Sequence, residues 1–399
     1  MTQETNQTLW SAVKLRAANN VRQYAMFFAL IGVWLLFTVL TRGVFLSPRN
    51  LTNLFLQASH IAILAVGMVL VIVAGHIDLS VGSIMGFIGA VAALLQVEFG
   101  WSTVAVIGVA VLLGLVIGVW QGFWIAYRGI PAFIVTLAGM TIFRGALIAV
   151  SGGATIAPLD EGFRAIGQGF LPRLFTPEVR IGFHTVSGLV MLVFALSFVV
   201  AQIQNRRKRI QFGFEVMPLA LEWLKMIGGA ALIAGFFSIM VFYRGIPWAM
   251  LIIVALVLFY TFLTRNTAFG RQVYAMGGNK EAARLSGVNI RQRTMMVFVS
   301  MGFLSAVAGV VFTARLNAAS AQAGTLVELD TIAAAIIGGT STLGGEGTVI
   351  GAIIGAVLMA SVNNGMSLMN LSSEWQMILR GLILLLAVWF DISSRKQAE

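Results

Sequence analysis

Long apolar runs alternate along this chain with short polar or glycine-rich connections. The runs occupy residues 24–40, 59–75, 81–96, 103–126, 131–150, 182–202, 226–242, 248–264, 294–313, 326–341, 347–363 and 375–392. Most reach the roughly 17–24 residues that carry a helix across a hydrocarbon core of roughly 30 Å. The pattern predicts an all-α polytopic membrane protein of about twelve helices. The pairs 59–75/81–96 and 326–341/347–363 are short and divided by Gly-rich backbone, so broken or re-entrant helices are expected there.

Two connections hold more than a turn. In SPRNLTNLFLQAS (47–59), Asn50 is a candidate cap and apolar residues follow at helical spacing. That predicts an amphipathic helix lying on the outer face. The other connection runs from Ser151 to Arg180. The chain also repeats a pattern: GHIDLSVGSIMGFIGAV (75–91) and GGTSTLGGEGTVIGAIIGAV (338–357) each place a polar, Gly-rich break before a small-residue helix. Gly82 and Gly86, then Gly347, Gly351 and Gly355, and also Gly114, Gly118 and Gly122, recur four apart on one helical face. Such stripes let backbones approach closely in lipid. The phrase YRGIP occurs at Tyr127–Pro131 and again at Tyr243–Pro247.

Composition agrees with a membrane location. The chain is 59% hydrophobic and 10% charged, with a mean hydropathy of +0.92, whereas about a quarter of a soluble domain is charged. The net charge of +11 lies in loops, which is a topology signal and excludes a nucleic-acid partner. With the N-terminus inside, 17 of the 26 Lys and Arg fall on the cytoplasmic side, including the RRKR run at 206–209. Seven fall outside, and Arg144 and Arg380 sit within spans near the outer end. Both termini are then cytoplasmic: residues 1–23 form an N-terminal segment, 24–392 the transmembrane domain and 393–399 a tail. Residues 1–20 are polar and no small-residue cleavage site follows the first run, so span one reads as retained. RRKR invites a lipid or partner reading, but it reads first as a topology anchor.

Catalytic chemistry is missing. Zero cysteines exclude disulfides and thiol catalysis. There is no GxxxxGK[ST] phosphate loop and no HExxH or GxSxG, and three histidines form no metal spacing. No close carboxylate pair suggests acid–base work. The acids considered for a proton route are Asp78 and Glu346, both in Gly-rich breaks. Asp78 reads as the N-cap of the helix that follows it or as a transport residue; Glu346 reads as solvated at a turn. Energy for any transport must therefore enter from elsewhere.

The polar stretch GGNKEAARLSGVNIRQR (277–293) supplies a place for it. Lys280 to Leu285 is good helix sequence, with a start near Asn279 and a stop at Gly287. Alone, it reads either as a solvated loop or as a short helix offered to a partner's groove. Glu281-Ala282-Ala283 with Gly287 resembles the EAA loop of ABC importer permeases. The wider text AFGRQVYAMGGNKEAARLSGVNI (268–290) is similar to the form found in monosaccharide permeases. So are IDLSVGS (77–83), PAFIVTLAGMTIFRG (131–145), ELDTIAAAIIGGTSTLGGEGT (328–348) and NNGMS (363–367). The Leu-Pro that follows the loop in many other ABC permeases is absent here, as it commonly is in the monosaccharide class.

The resemblance implies a permease homodimer in a bacterial cytoplasmic membrane, driven by a cytoplasmic ABC ATPase and fed by an external sugar-binding protein. This chain would bind no cofactor; ATP and Mg would sit on the ATPase. The coupling loop, within 265–293, would use Gly278, Asn279, Glu281, Ala282, Ala283 and Gly287. Ribose-type permeases look like ten-span proteins, whereas 182–242 here holds two further spans. That insertion and the YRGIP phrases are similar to xylose permeases, which implies D-xylose as substrate. Thr136, Asn363, Asn364 and Asp78 are candidate pathway residues, although Asn before Gly equally reads as a helix C-cap. Alternatives are an ion-coupled secondary sugar transporter, or the same machinery for ribose, arabinose or galactose.

Overall fold

A computed structural model describes residues 21–174, 183–214 and 216–396. The segment 1–23 and the outer connection to Arg180 therefore fall partly outside the described residues. Among the described residues fifteen α-helices follow one another, and each of the twelve predicted runs coincides with one of them. In chain order they are α1 Val21–Leu40, α2 Pro48–Val73, α3 Val81–Val97, α4 Thr103–Ala126 and α5 Ala132–Ser151, then α6 Glu161–Gln168, α7 Thr185–Gln211 and α8 Leu219–Val241. The rest are α9 Trp248–Asn266, α10 Ala268–Gly278, α11 Lys280–Leu285, α12 Ile290–Leu316, α13 Val327–Ile337, α14 Val349–Leu368 and α15 Ser373–Lys396. Among the described residues, nine are long and apolar enough to cross a membrane. The other three matching runs, α1, α3 and α13, are shorter in their apolar part or overall, and α13 has only 11 residues.

Two pillars organise the bundle. α2 is 89% buried along its apolar window, and it touches α12, α13, α14, α9 and α8. α12 packs on α2, α3, α4 and α6. Its contact with α4 uses the predicted glycine stripe: a side chain at Gly114 would strike the Gly302 carbonyl, and one at Gly118 the Phe298 carbonyl at 2.6 Å. With no Cβ in the way, the two backbones meet directly. Both repeated stretches use their glycines the same way. Gly82 and Gly86 face the Gly324 and Ala323 carbonyls ahead of α13, and Gly351 and Gly355 face Gly338 and Ala334.

Three local expectations are corrected. The segment 47–59 is not a helix lying on the surface; it is the first half of α2, which runs unbroken to Val73. Pro48 takes the first helical position, and the Ser47 hydroxyl accepts the Asn50 N–H at 3.3 Å, so Ser47 and not Asn50 is the cap. The RRKR run is not a loop but the end of α7, where cations complement the helix dipole. Asn364-Gly365 is no C-cap, because α14 continues to Leu368 and the Phe37 ring packs over Gly365.

α7 and α8 form a hairpin on the flank. Only 6% of the α7 window is buried, and α8 reaches the core through Phe236, whose ring meets Phe55 edge-on at 4.8 Å. α6 packs on the end of α12, and short antiparallel bridges join Ile156 to Ala319 and Phe170 to Pro247.

Candidate coupling and translocation sites

Between α9 and α12 the chain folds into two short helices beneath α2. The Thr267 hydroxyl caps α10 by accepting the Gly270 N–H at 3.3 Å. Asn279 ends α10 and caps α11, its Oδ1 accepting the Ala282 N–H at 2.9 Å. α11 stops where Gly287 adopts φ +84°, and the Val288 N–H returns to the Ala283 carbonyl at 3.0 Å. Ala283 is buried against the protein. Glu281 and Arg284 pair at 2.8 Å on the exposed side, and Ala282 and Leu285 point away from the body. One small-residue face is thus held and the other is left open.

The same hairpin is locked to the bundle. Gly277 sits against the Val73 carbonyl at the end of α2, and any side chain there would collide with it. That carbonyl accepts the Gly345 N–H at 2.9 Å, and a side chain at Gly345 would meet Gly278 Cα at 2.8 Å. The Tyr274 hydroxyl donates to the Gly347 carbonyl at 2.7 Å. So α10, the end of α2 and the Gly-rich break before α14 form one backbone-to-backbone junction. Lys280 also lies near His76, whose pKa burial first, then this cation, lowers to about 4; the imidazole is neutral.

The pathway candidates fall into two places. Asp78 is fully buried between α2 and α3, and it does not cap α3; Ser80 occupies that position. Its Oδ1 accepts the Ser80 N–H at 2.8 Å and the Ser80 hydroxyl at 2.6 Å, and Gln121 donates to the same hydroxyl at 2.7 Å. Burial pushes its carboxyl up to about 6 against the lowering by the two Ser80 hydrogen bonds. Thr136 joins this group by donating to the Ile77 carbonyl at 3.3 Å.

Asn363 and Asn364 lie elsewhere, near the end of α14, and point apart because neighbours on a helix differ by about 100°. Asn364 exchanges hydrogen bonds with Asn50 at 2.8 and 3.1 Å, and donates to Gln57 Oε1 at 3.3 Å. Asn363 donates to Asp330 at 3.0 Å and accepts from Arg380 at 3.0 Å, and Arg380 lies 3.8 Å from Asp330. This triad links α13, α14 and α15. Sequence reasoning confined the acids to Asp78 and Glu346 and missed Glu328 and Asp330, which are both buried in α13. The signal was available: two acids inside a predicted span, opposite an arginine inside another.

The comparisons with known proteins agree with this architecture. The family model for the permease component of branched-chain amino acid transport systems matches residues 50–388. The xylose transport system permease protein XylH of Escherichia coli strain K12 is 43% identical over 379 residues, 95% of this chain and 94% of that one. XylH of Haemophilus influenzae is 42% identical over 385 residues, 96% of this chain and 99% of that one. The ribose import permease protein RbsC of E. coli K12 is 33% identical over 347 residues, 87% of each chain. No solved structure matches the chain.

Proposed function

Because the chain belongs to the family of permease components of branched-chain amino acid transport systems, we infer that it is the transmembrane subunit of an ABC importer for a monosaccharide, and we propose D-xylose as that sugar. The observation that carries the reading is identity of 42–43% to two xylose permeases over 95–96% of the chain. An alignment that complete also takes in the α7–α8 hairpin, which the expected ten-span core lacks.

ATP and Mg are assigned to a separate ATPase chain. α11 is the element we assign to its cleft, with Ala282, Leu285 and the Glu281–Arg284 pair facing outward and Asn279 and Gly287 setting the helix ends. Gly278 leads into it from α10. A push on α11 would pass through Gly277 to the Val73 carbonyl and Gly345 without flexible side chains between. α2 then carries the displacement along its length toward Asn50 and Asn364. Sugar passage needs weak, neutral hydrogen bonds, because tight binding would slow release. Asn363, Asn364 and Thr136 are suited to that, and Asp78 is suited to hold the α2–α3 break. The orientation follows the excess of Lys and Arg in the loops on one side: both termini and α11 face the cytoplasm, in a bacterial inner membrane. A second copy of the permease and an external sugar-binding protein complete the assembly.

Purification in mild detergent from the native membrane tests this. An ATPase chain should co-purify, and its hydrolysis should rise with xylose and the binding protein more than with ribose, arabinose or galactose. Gly287→Trp, which forces a bulky residue into left-handed backbone, should abolish that stimulation while the protein stays in the membrane. A lone chain that moves sugar down an ion gradient in liposomes would overturn the assignment, as would normal uptake by Gly287→Trp.

A further inference from the structure

The coupling route proposed above does not run through the α7–α8 hairpin. At its Gln211 and Leu219 end a cavity of about 400 Å³ opens between the two helices. Cations from both helices line it: Arg206, Lys208 and Arg209 from α7, and Lys225 from α8. Among the described lining residues Glu222 is the one acid, and it is paired with Arg206, which also donates to the Met217 carbonyl at 3.2 Å. Lys225 donates to Gln202 Oε1 at 3.0 Å, a contact that orients the ammonium without neutralising it. The cavity therefore keeps a surplus of positive charge on a pre-arranged frame.

Its rim is apolar. Phe212 and Phe214 line it and are about two-thirds exposed, and Trp223 and Leu224 are exposed one turn into α8. These side chains sit where the helices leave their apolar sections, the level at which aromatic rings favour the membrane interface. A soluble anion would use the cations and leave the rim bare. A molecule with a phosphate head and apolar tails uses both. We propose that this cavity binds the headgroup phosphate of an anionic phospholipid, with its acyl chains along the open flank of α7. The leaflet follows the orientation proposed above, but the binding does not depend on it.

Native mass spectrometry of the full chain in detergent micelles, titrated with phosphatidylglycerol and with phosphatidylethanolamine of the same acyl chains, tests this. Phosphatidylglycerol should bind roughly tenfold more tightly. Lys208→Gln/Arg209→Gln/Lys225→Gln should lose the preference, and Lys208→Arg/Lys225→Arg should keep it. Raising salt from about 0.05 M to about 0.5 M should weaken it in the unaltered chain, a readout that stands even if the glutamine variant does not accumulate. Equal binding of the two lipids, or an intact preference in the glutamine variant, would overturn the proposal. So would displacement of the lipid by millimolar inorganic phosphate, which marks a soluble-anion site. Loss of a co-purifying ATPase from the glutamine variant with lipid preference unchanged would make the patch a protein contact instead.

Discussion

Asn50 and Asn364 hold α2 and α14 together with reciprocal amide hydrogen bonds inside the bundle. A buried amide stripped of its partner costs about 1–3 kcal/mol, so Asn364→Leu should destabilise the protein by that order. Asn50→Leu/Asn364→Leu should recover part of the loss, because the buried Asn50 amide is then no longer left without its Asn364 partner; thermal unfolding in detergent measures both. Asp78 makes a different prediction. Its carboxyl is raised to about 6, first by burial. The stability of its protonated form is present below the ordinary carboxylate value and is lost as pH rises through about 6. Asp78→Asn keeps an acceptor for Ser80 and carries no charge. Its gain in melting temperature over the unaltered chain should therefore be larger at about pH 8 than at about pH 5; an equal gain at both would refute the buried-charge account.

Glycine stripes decide how the elements meet. Along α4, Gly114 faces the Gly302 backbone, whereas a side chain at Gly108 would enter open space. Gly114→Val should therefore destabilise by about 1–3 kcal/mol through overpacking, and Gly108→Val in the same helix should be nearly silent. Equal effects would mean that helix propensity, not contact, sets the cost. The stripes could be read in the sequence because a spacing of four maps onto one helical face. Their partners could not: nothing local says that Gly114 meets α12 while Gly355 meets α13. The same gap explains the outer helix expected over 47–59. Its apolar periodicity is real, but the first turns of α2 bury that face in the bundle beside Phe45, Asn364 and Phe236 and not in a headgroup layer.

At the scale of the whole molecule, the α7–α8 hairpin is an appendage whose ends touch: the His184 N–H donates to the Val241 carbonyl at 2.9 Å. Replacing residues 185–240 by a short Gly-Ser linker removes one outward and one inward helix, so downstream orientation should be kept. The shortened chain should still insert, with α11 on its original side by cysteine labelling in this cysteine-free background; inversion of α11 would show that the hairpin sets the topology. Anionic-lipid preference should disappear from the same variant.

Hydrophobic runs were enough to establish an α-helical membrane protein, and the cap residues around α11 marked a short helix there. These features act within a few residues or along one helix, and lipid imposes them on any chain that must satisfy its backbone internally. Long-range partners were decided by packing alone. The Asp330–Asn363–Arg380 triad, the split between the Asn363 and Asn364 environments and the Gly277–Val73–Gly345 junction each join residues distant in the chain. A contact between distant residues exists only once the helices between them have found their places, and no local pattern encodes that.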